Sequence, residues 1–201
     1  NVNDPNGDPV PHGWAWCGNW EEVDFAVDTQ ATNTVINSGG EIRDGQADVP
    51  LVAGHSYRCG VGGGEEFVEQ GWLSPAEQEV EYASKNSALE NLTFTFKEAD
   101  ATLVGSIEDS ADFDSTWCWA WSEGGSSWTE VDPGEQYRLN LSTENGEWEA
   151  GCDGVKDDEW HFTEEPYSFT PDKGKNTHNF SLTKMGAWKI YDAVSETFDS
   201  T

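Results

Sequence analysis

Apolar positions along this chain alternate with polar ones more often than they recur at helical spacing. Residues 92–96 read Leu-Thr-Phe-Thr-Phe, and residues 137–141 read Tyr-Arg-Leu-Asn-Leu, which places Tyr137, Leu139 and Leu141 on one face of a strand. Turn formers break the pattern at Asp4 to Pro9, Ser38-Gly39-Gly40, Gly62 to Gly64, Glu123-Gly124-Gly125, Asp132-Pro133-Gly134 and Pro171 to Gly174. One stretch, Ser74 to Ala83, suits a helix, with Ser74-Pro75 as cap and first turn. Its counterpart near Pro166 to Pro171 reads as extended. The pattern predicts an all-β protein of short strands.

The pattern also repeats. Val2-Asn3-Asp4 and Trp14-Ala15-Trp16 return 105 residues later as Ile107-Glu108-Asp109 and Trp119-Ala120-Trp121. Asn91 to Phe94 is echoed by Asn179 to Leu182, and Phe198-Asp199-Ser200-Thr201 copies Phe113-Asp114-Ser115-Thr116. Self-similarity at a fixed offset marks a repeat architecture. It predicts two tandem β-sandwich modules, residues 1–98 and 99–187, and a C-terminal strand, residues 188–201, that belongs to a further module. Each module is long enough to bury its own core. The joins near Lys97 to Asp100 and Lys184 to Gly186 carry no flexible linker, so the modules are expected to be stiffly coupled. Asn1 falls mid-pattern, which suggests a processed or excised start.

Charge narrows the partners. Against 39 Asp and Glu stand 10 Lys and Arg, a formal net charge of −29. That excludes ordinary nucleic-acid binding, which needs a basic footprint, and argues against docking on anionic membranes. The acids are spread along the chain, as on a solvated surface in salty or divalent-rich surroundings. No run of 18 apolar residues offers a membrane-spanning helix.

Asp4, Gly7, Pro9 and Val10 form a strand-turn-strand pattern, and the later Val52-Ala53-Gly54-His55-Ser56-Tyr57-Arg58 and Pro133-Gly134-Glu135-Gln136-Tyr137-Arg138 share Gly-x-x-Tyr. In these motifs the chain resembles carboxypeptidase-regulatory-like repeats. The resemblance implies a transthyretin-like, Ig-like sandwich of seven strands, generally non-catalytic and common in secreted or surface proteins. The second module departs from it: Asp109 to Thr116 lacks Gly-x-Pro, and the following strand carries Trp where the family has aliphatics. Two superpositions of the second module compete, one placing Tyr137-Arg138 on Tyr57-Arg58, the other Cys152 on Cys59.

Each module holds two cysteines, Cys17 and Cys59, then Cys118 and Cys152. Even number and matched distribution favour a disulfide within each module and an oxidising compartment. No Cys-x-x-Cys pair or His cluster suggests zinc. Strand parity sets Trp14 and Trp16 opposite Ala15 and Cys17, and sets Trp117, Trp119 and Trp121 opposite Cys118, Ala120 and Ser122. If a disulfide crosses the core, the tryptophans face outward, with Trp20 and Trp128 extending the surface. If it is peripheral, the tryptophans are core. An outward ladder suits stacking by Arg58 and Arg138, packing against a neighbour, or a platform for sugar rings.

Oxygen-bearing side chains at Asp4, Asn6 and Asp8, and at Asp109, Asp112 and Asp114, have spacing compatible with calcium, although neither loop has the twelve-residue form. No other cofactor is indicated. Sequons stand at Asn91, Asn140 and Asn179. No nucleotide, zinc-protease or serine-hydrolase motif is present, so no enzymatic activity is expected. The expectation is an extracellular or cell-surface structural repeat protein, a filament, stalk or adhesin segment, associating with itself or with neighbouring repeats. Trp188, Ile190 and Tyr191 resemble a first strand, which makes strand donation between subunits a specific form of that reading. The competing reading is a carbohydrate-binding module using the Trp face.

Overall fold

The computed structural model describes residues 1–19, 37–63, 65–82 and 91–184. The first half contains β1 (Val2–Asn3), β2 (His12–Gly18), β3 (Asn37–Arg43), β4 (His55–Gly62), helix α1 (Glu65–Glu69), β5 (Trp72–Pro75), β6 (Gln78–Tyr82), β7 (Phe94–Thr95) and β8 (Lys97–Glu98). The second contains β9 (Ala101–Ser106), β10 (Ser115–Ser122), β11 (Gly125–Val131), β12 (Gln136–Leu141), β13 (Trp148–Lys156), β14 (Glu159–Phe162), β15 (Tyr167–Phe169), β16 (Gly174–Thr177) and β17 (Thr183–Lys184). The all-β reading of the sequence holds.

The helix expected over 74–83 is absent. Val80 is buried between exposed Glu79 and Glu81, a period-two pattern satisfied by β6 pairing with β4. The helix lies earlier, at α1, whose Phe67 and Val68 are buried. Phe67 packs edge-on to Phe96, with ring centroids 5.0 Å apart.

Two apolar cores form. One lies beneath the sheet β3-β2-β4-β6 and contains Val10, Ala15, Cys17, Ile42, Tyr57, Cys59 and Phe96. The other lies between β10, β11 and β13 on one side and β12-β9-β16 on the other, and contains Leu103, Cys118, Ala120, Leu139, Leu141, Trp148 and Cys152. In both halves a central strand carries the first cysteine: β2 between β3 and β4, and β10 between β11 and β13.

The halves interlock. Strand β5 leaves the first half to pair antiparallel with β11, with Pro75 opposite Gly125 and Ser74 opposite Ser126. Its Leu73 is fully buried in the second core. Buried Asn140 of β12 donates through Nδ2 to the carbonyls of Val68, at 2.8 Å, and Trp72, at 3.0 Å. Two backbone carbonyls of the first half thereby accept from one buried side chain of the second, the Val68 carbonyl accepting the Gly71 N–H as well.

Candidate functional site

Cys17 is bonded to Cys59 and Cys118 to Cys152. Neither disulfide crosses from sheet to sheet. Each joins residues directly opposite one another on adjacent antiparallel strands, with Cα atoms 4.1 and 4.0 Å apart. Both still face the cores, so the small residues Ala15 and Ala120 are buried and the tryptophans turn outward.

The disulfides also fix the internal correspondence. Cys59 on β4 matches Cys152 on β13, because each faces its partner on the central strand. Tyr137 belongs to the opposite layer, on β12 paired with β9, so its likeness to Tyr57 is one of turn chemistry. Gly54 and Gly134 both take left-handed φ values, of 97° and 81°, ahead of a buried tyrosine. The Tyr57 hydroxyl donates to the Val52 carbonyl at 2.8 Å, and that of Tyr137 to the His178 carbonyl at 2.7 Å. Matching Cys17 to Cys118 also displaces the Trp-Ala-Trp correspondence by four residues. Alternating Trp on one face satisfies the strand in either frame, so the words repeat more regularly than the positions.

The outward tryptophans lie against glycine. A Cβ on Gly39 would stand 2.7 Å from the Trp14 indole, one on Gly60 2.6 Å from Trp16, and one on Gly151 2.7 Å from Trp119. The missing side chains let the indoles settle on the neighbouring strand. Trp119 is directly opposite Trp128 across β10 and β11, and Trp117 meets Trp160 edge-on at 5.5 Å. Trp14, Trp16 and Trp128 together line a 300 Å³ cleft with Gly13, Gly62 and Gly63. That cleft joins the two halves into one aromatic surface, on which Trp14, Trp121, Trp128 and Trp160 remain 41–54% exposed.

Charge on this face is handled locally. The Trp119 indole donates to Asp153 at 3.1 Å, and burial holds the Asp153 carboxyl above its ordinary range, partly offset by hydrogen bonds from Trp119 and Trp117. Arg58 and Arg138 are exposed, as parity expects. Arg58 reaches Glu77 at 3.8 Å and Glu79 at 3.7 Å, and it shares a 300 Å³ cavity with Trp121. Lys156 lies over a ring, 5.8 Å from the centre of Phe113.

The turn acids make local contacts. Asp4 accepts the backbone N–H groups of Asn6 and Asp8 at 2.8 and 2.9 Å, closing its own loop. Asp112 pairs with Lys156 at 3.3 Å, and Asp114 accepts the N–H of Asp157 at 3.0 Å. Asp109 takes a left-handed φ of 55°. Among the described residues no group of three or more His, Cys, Asp or Glu is arranged to hold a metal ion. The sequon at Asn140 is fully buried, whereas Asn91 and Asn179 are exposed. Trp20, Trp188, Ile190 and Tyr191 lie outside the described residues.

Sequence reading missed an apolar groove in the first half. In the second half β9 runs centrally through its layer, antiparallel to β12 and parallel to β16, with Ala101 and Leu103 buried beneath the disulfide. Just beyond β9, Ile107 bridges Phe180 in parallel, as Val2 pairs in parallel with Phe94. Among the described residues, nothing in the first half corresponds to β9 itself. A groove of 410 Å³ lies there instead, with Asn1, Val49 to Leu51, Asn91 and Leu92 among its lining. Its floor includes Ala15, Cys17, Cys59, Val61 and Val80. The only sequence signal for it was that Val2 matches Ile107, the residue after a strand.

No family model and no curated protein matches the chain. Among solved structures, the Bacillus anthracis TIE protein is similar at a TM-score of 0.33 and 11% identity, over 90% of this chain and 33% of that one. The chain thus spans about a third of that protein's length. A candidate cell adhesion protein from Bacteroides ovatus ATCC 8483 is similar at a TM-score of 0.30 and 12% identity, over 92% of this chain and 94% of that one. Scores this low carry no functional weight.

Proposed function

We propose that this chain is a non-catalytic structural repeat unit of an extracellular or cell-surface protein, a segment of a filament, stalk or adhesin. The observation that carries this is the groove of the first half, lined by Ala15, Cys59, Val61 and Val80, on a chain whose second half buries the strand β9 within its matching core. A sheet layer lacking a central strand presents backbone and apolar surface that another strand can satisfy. Two internal disulfides support an oxidising compartment, and a charge of −29 supports a solvated surface in salty surroundings. No helix among the described residues is long and apolar enough to cross a membrane. The left-handed glycines before Tyr57 and Tyr137 support the likeness to carboxypeptidase-regulatory-like repeats. Electron microscopy of the native material, with and without a calcium chelator, tests the reading. Fibres with a regular axial repeat are expected, and dispersed particles at every concentration would refute assembly.

A second reading, a carbohydrate-binding module, is favoured by the exposed tryptophans, since indole faces held against a rigid sheet can stack on sugar rings. Trp119→Ala and Trp121→Ala separate the two. Loss of glycan binding with folding intact supports the second reading, and loss of assembly or stability supports the first.

A further inference from the structure

We infer that the groove of the first half receives residues 186–191 of a second copy of this chain, so that assembly is head-to-tail and intermolecular. The inference rests on the structural-repeat reading above and names the partner that fills the groove.

The donor is identified by the repeat itself. Placing Phe198-Asp199-Ser200-Thr201 on Phe113-Asp114-Ser115-Thr116 places Gly186 to Tyr191 on Ala101 to Ser106, the six residues of β9. Trp188 then takes the position of Leu103, which is fully buried in the second half, and Ile190 takes that of Gly105. Alternation puts Trp188 and Ile190 on the same face, toward Ala15, Cys59 and Val61. Gly105 itself leaves no room for a side chain, since a Cβ there would stand 1.5 Å from the His178 carbonyl. An isoleucine is therefore suited to the roomier groove and not to the second half.

Geometry makes the donation intermolecular. Lys184 ends β17, at one edge of a sheet ordered β17-β14-β13-β10-β11-β5-β8. Five strand spacings separate β17 from β5, about 24 Å, and the groove belongs to the first half beyond it. The donor begins two residues after Lys184, a reach of about 7 Å. That separation along the sheet favours the groove of a neighbouring copy over the chain's own.

The test uses the full chain in three forms. Wild type should form oligomers whose mass rises with concentration. Trp188→Asp with Ile190→Asp disables the donor, and Ala47→Trp, at a half-buried alanine lining the groove, blocks the acceptor. Each variant alone should be monomeric by light scattering. A one-to-one mixture should give dimers and stop there, because one chain retains only the groove and the other only the tail. That complementation also shows that both variants are folded. Wild type that stays monomeric would overturn both this inference and the structural-repeat reading. Oligomers that persist in both variants would overturn the strand assignment alone.

Discussion

The indole nitrogen of Trp119 donates to Asp153 at 3.1 Å, fixing a carboxylate within a field of tryptophans. Because burial raises the Asp153 pKa in the folded state, this carboxyl resists ionisation there more than in the unfolded chain. Its contribution is favourable at acid pH and is lost as pH rises through the folded pKa. Asp153→Asn keeps an acceptor for the indole and removes the charge. The variant should match or exceed wild type in urea midpoint at pH 7, and the difference should shrink as pH falls toward 4.

Asn140 holds the two halves together without exposing any of its surface. Replacing it with Ala removes the side-chain donor to the Trp72 carbonyl and one of two donors to the Val68 carbonyl, which keeps the Gly71 N–H, at a cost of about 1–2 kcal/mol. Chemical denaturation should show this loss. The same burial predicts that mass spectrometry of material from a glycosylating source finds Asn140 unmodified in folded protein.

Each disulfide closes a long loop, with separations of 42 and 34 residues. Replacing Cys118 and Cys152 together by Ala should lower stability by about 3–4 kcal/mol through the freedom returned to the unfolded chain. Cys17 with Cys59 should cost a similar amount. Both are measurable by chemical denaturation as a lower midpoint with a steeper slope, because the unlinked unfolded chain exposes more surface.

Two tryptophans on opposite faces should respond very differently. Trp148 is fully buried and donates to the Ser142 carbonyl at 3.0 Å, so Trp148→Ala should cost about 3–5 kcal/mol. Trp14 is half exposed, and Trp14→Ala should cost under about 1 kcal/mol. Thermal melts separate the two. A large loss at Trp14 would mean that this face is packing surface rather than recognition surface.

Much of this architecture was legible in the residues. Strand parity placed Ala15 with Cys17 and Ala120 with Cys118, and these faces are buried because small side chains let the layers approach. Parity could not say which face was core, since a Trp ladder satisfies either; the disulfides lying within a sheet while facing the core settled it. Ser74-Pro75 reads as a helix cap, but Pro75 ends β5, which lies between β11 and β8, and Val80 sits in a period of two. The groove was invisible to local pattern, because it is defined by what the other half places there. Asn140 looked like a sequon and a strand residue, and only its long-range partners reveal it as a pin. An oxygen whose spacing suits a cation can equally cap its own loop, as that of Asp4 does.

The crossing of β5 into the second half changes what counts as one unit. A gene cut between Glu98 and Ala99 would yield a second half without Leu73 in its core, without the strand beside β11, and with Asn140 facing no carbonyl. Such a fragment exposes a hydrophobic slot and should aggregate or be degraded. Duplication of this sequence during evolution would then be tolerated in steps of two halves, and insertions between them would be purged. The length of any array built from it should accordingly be counted in pairs.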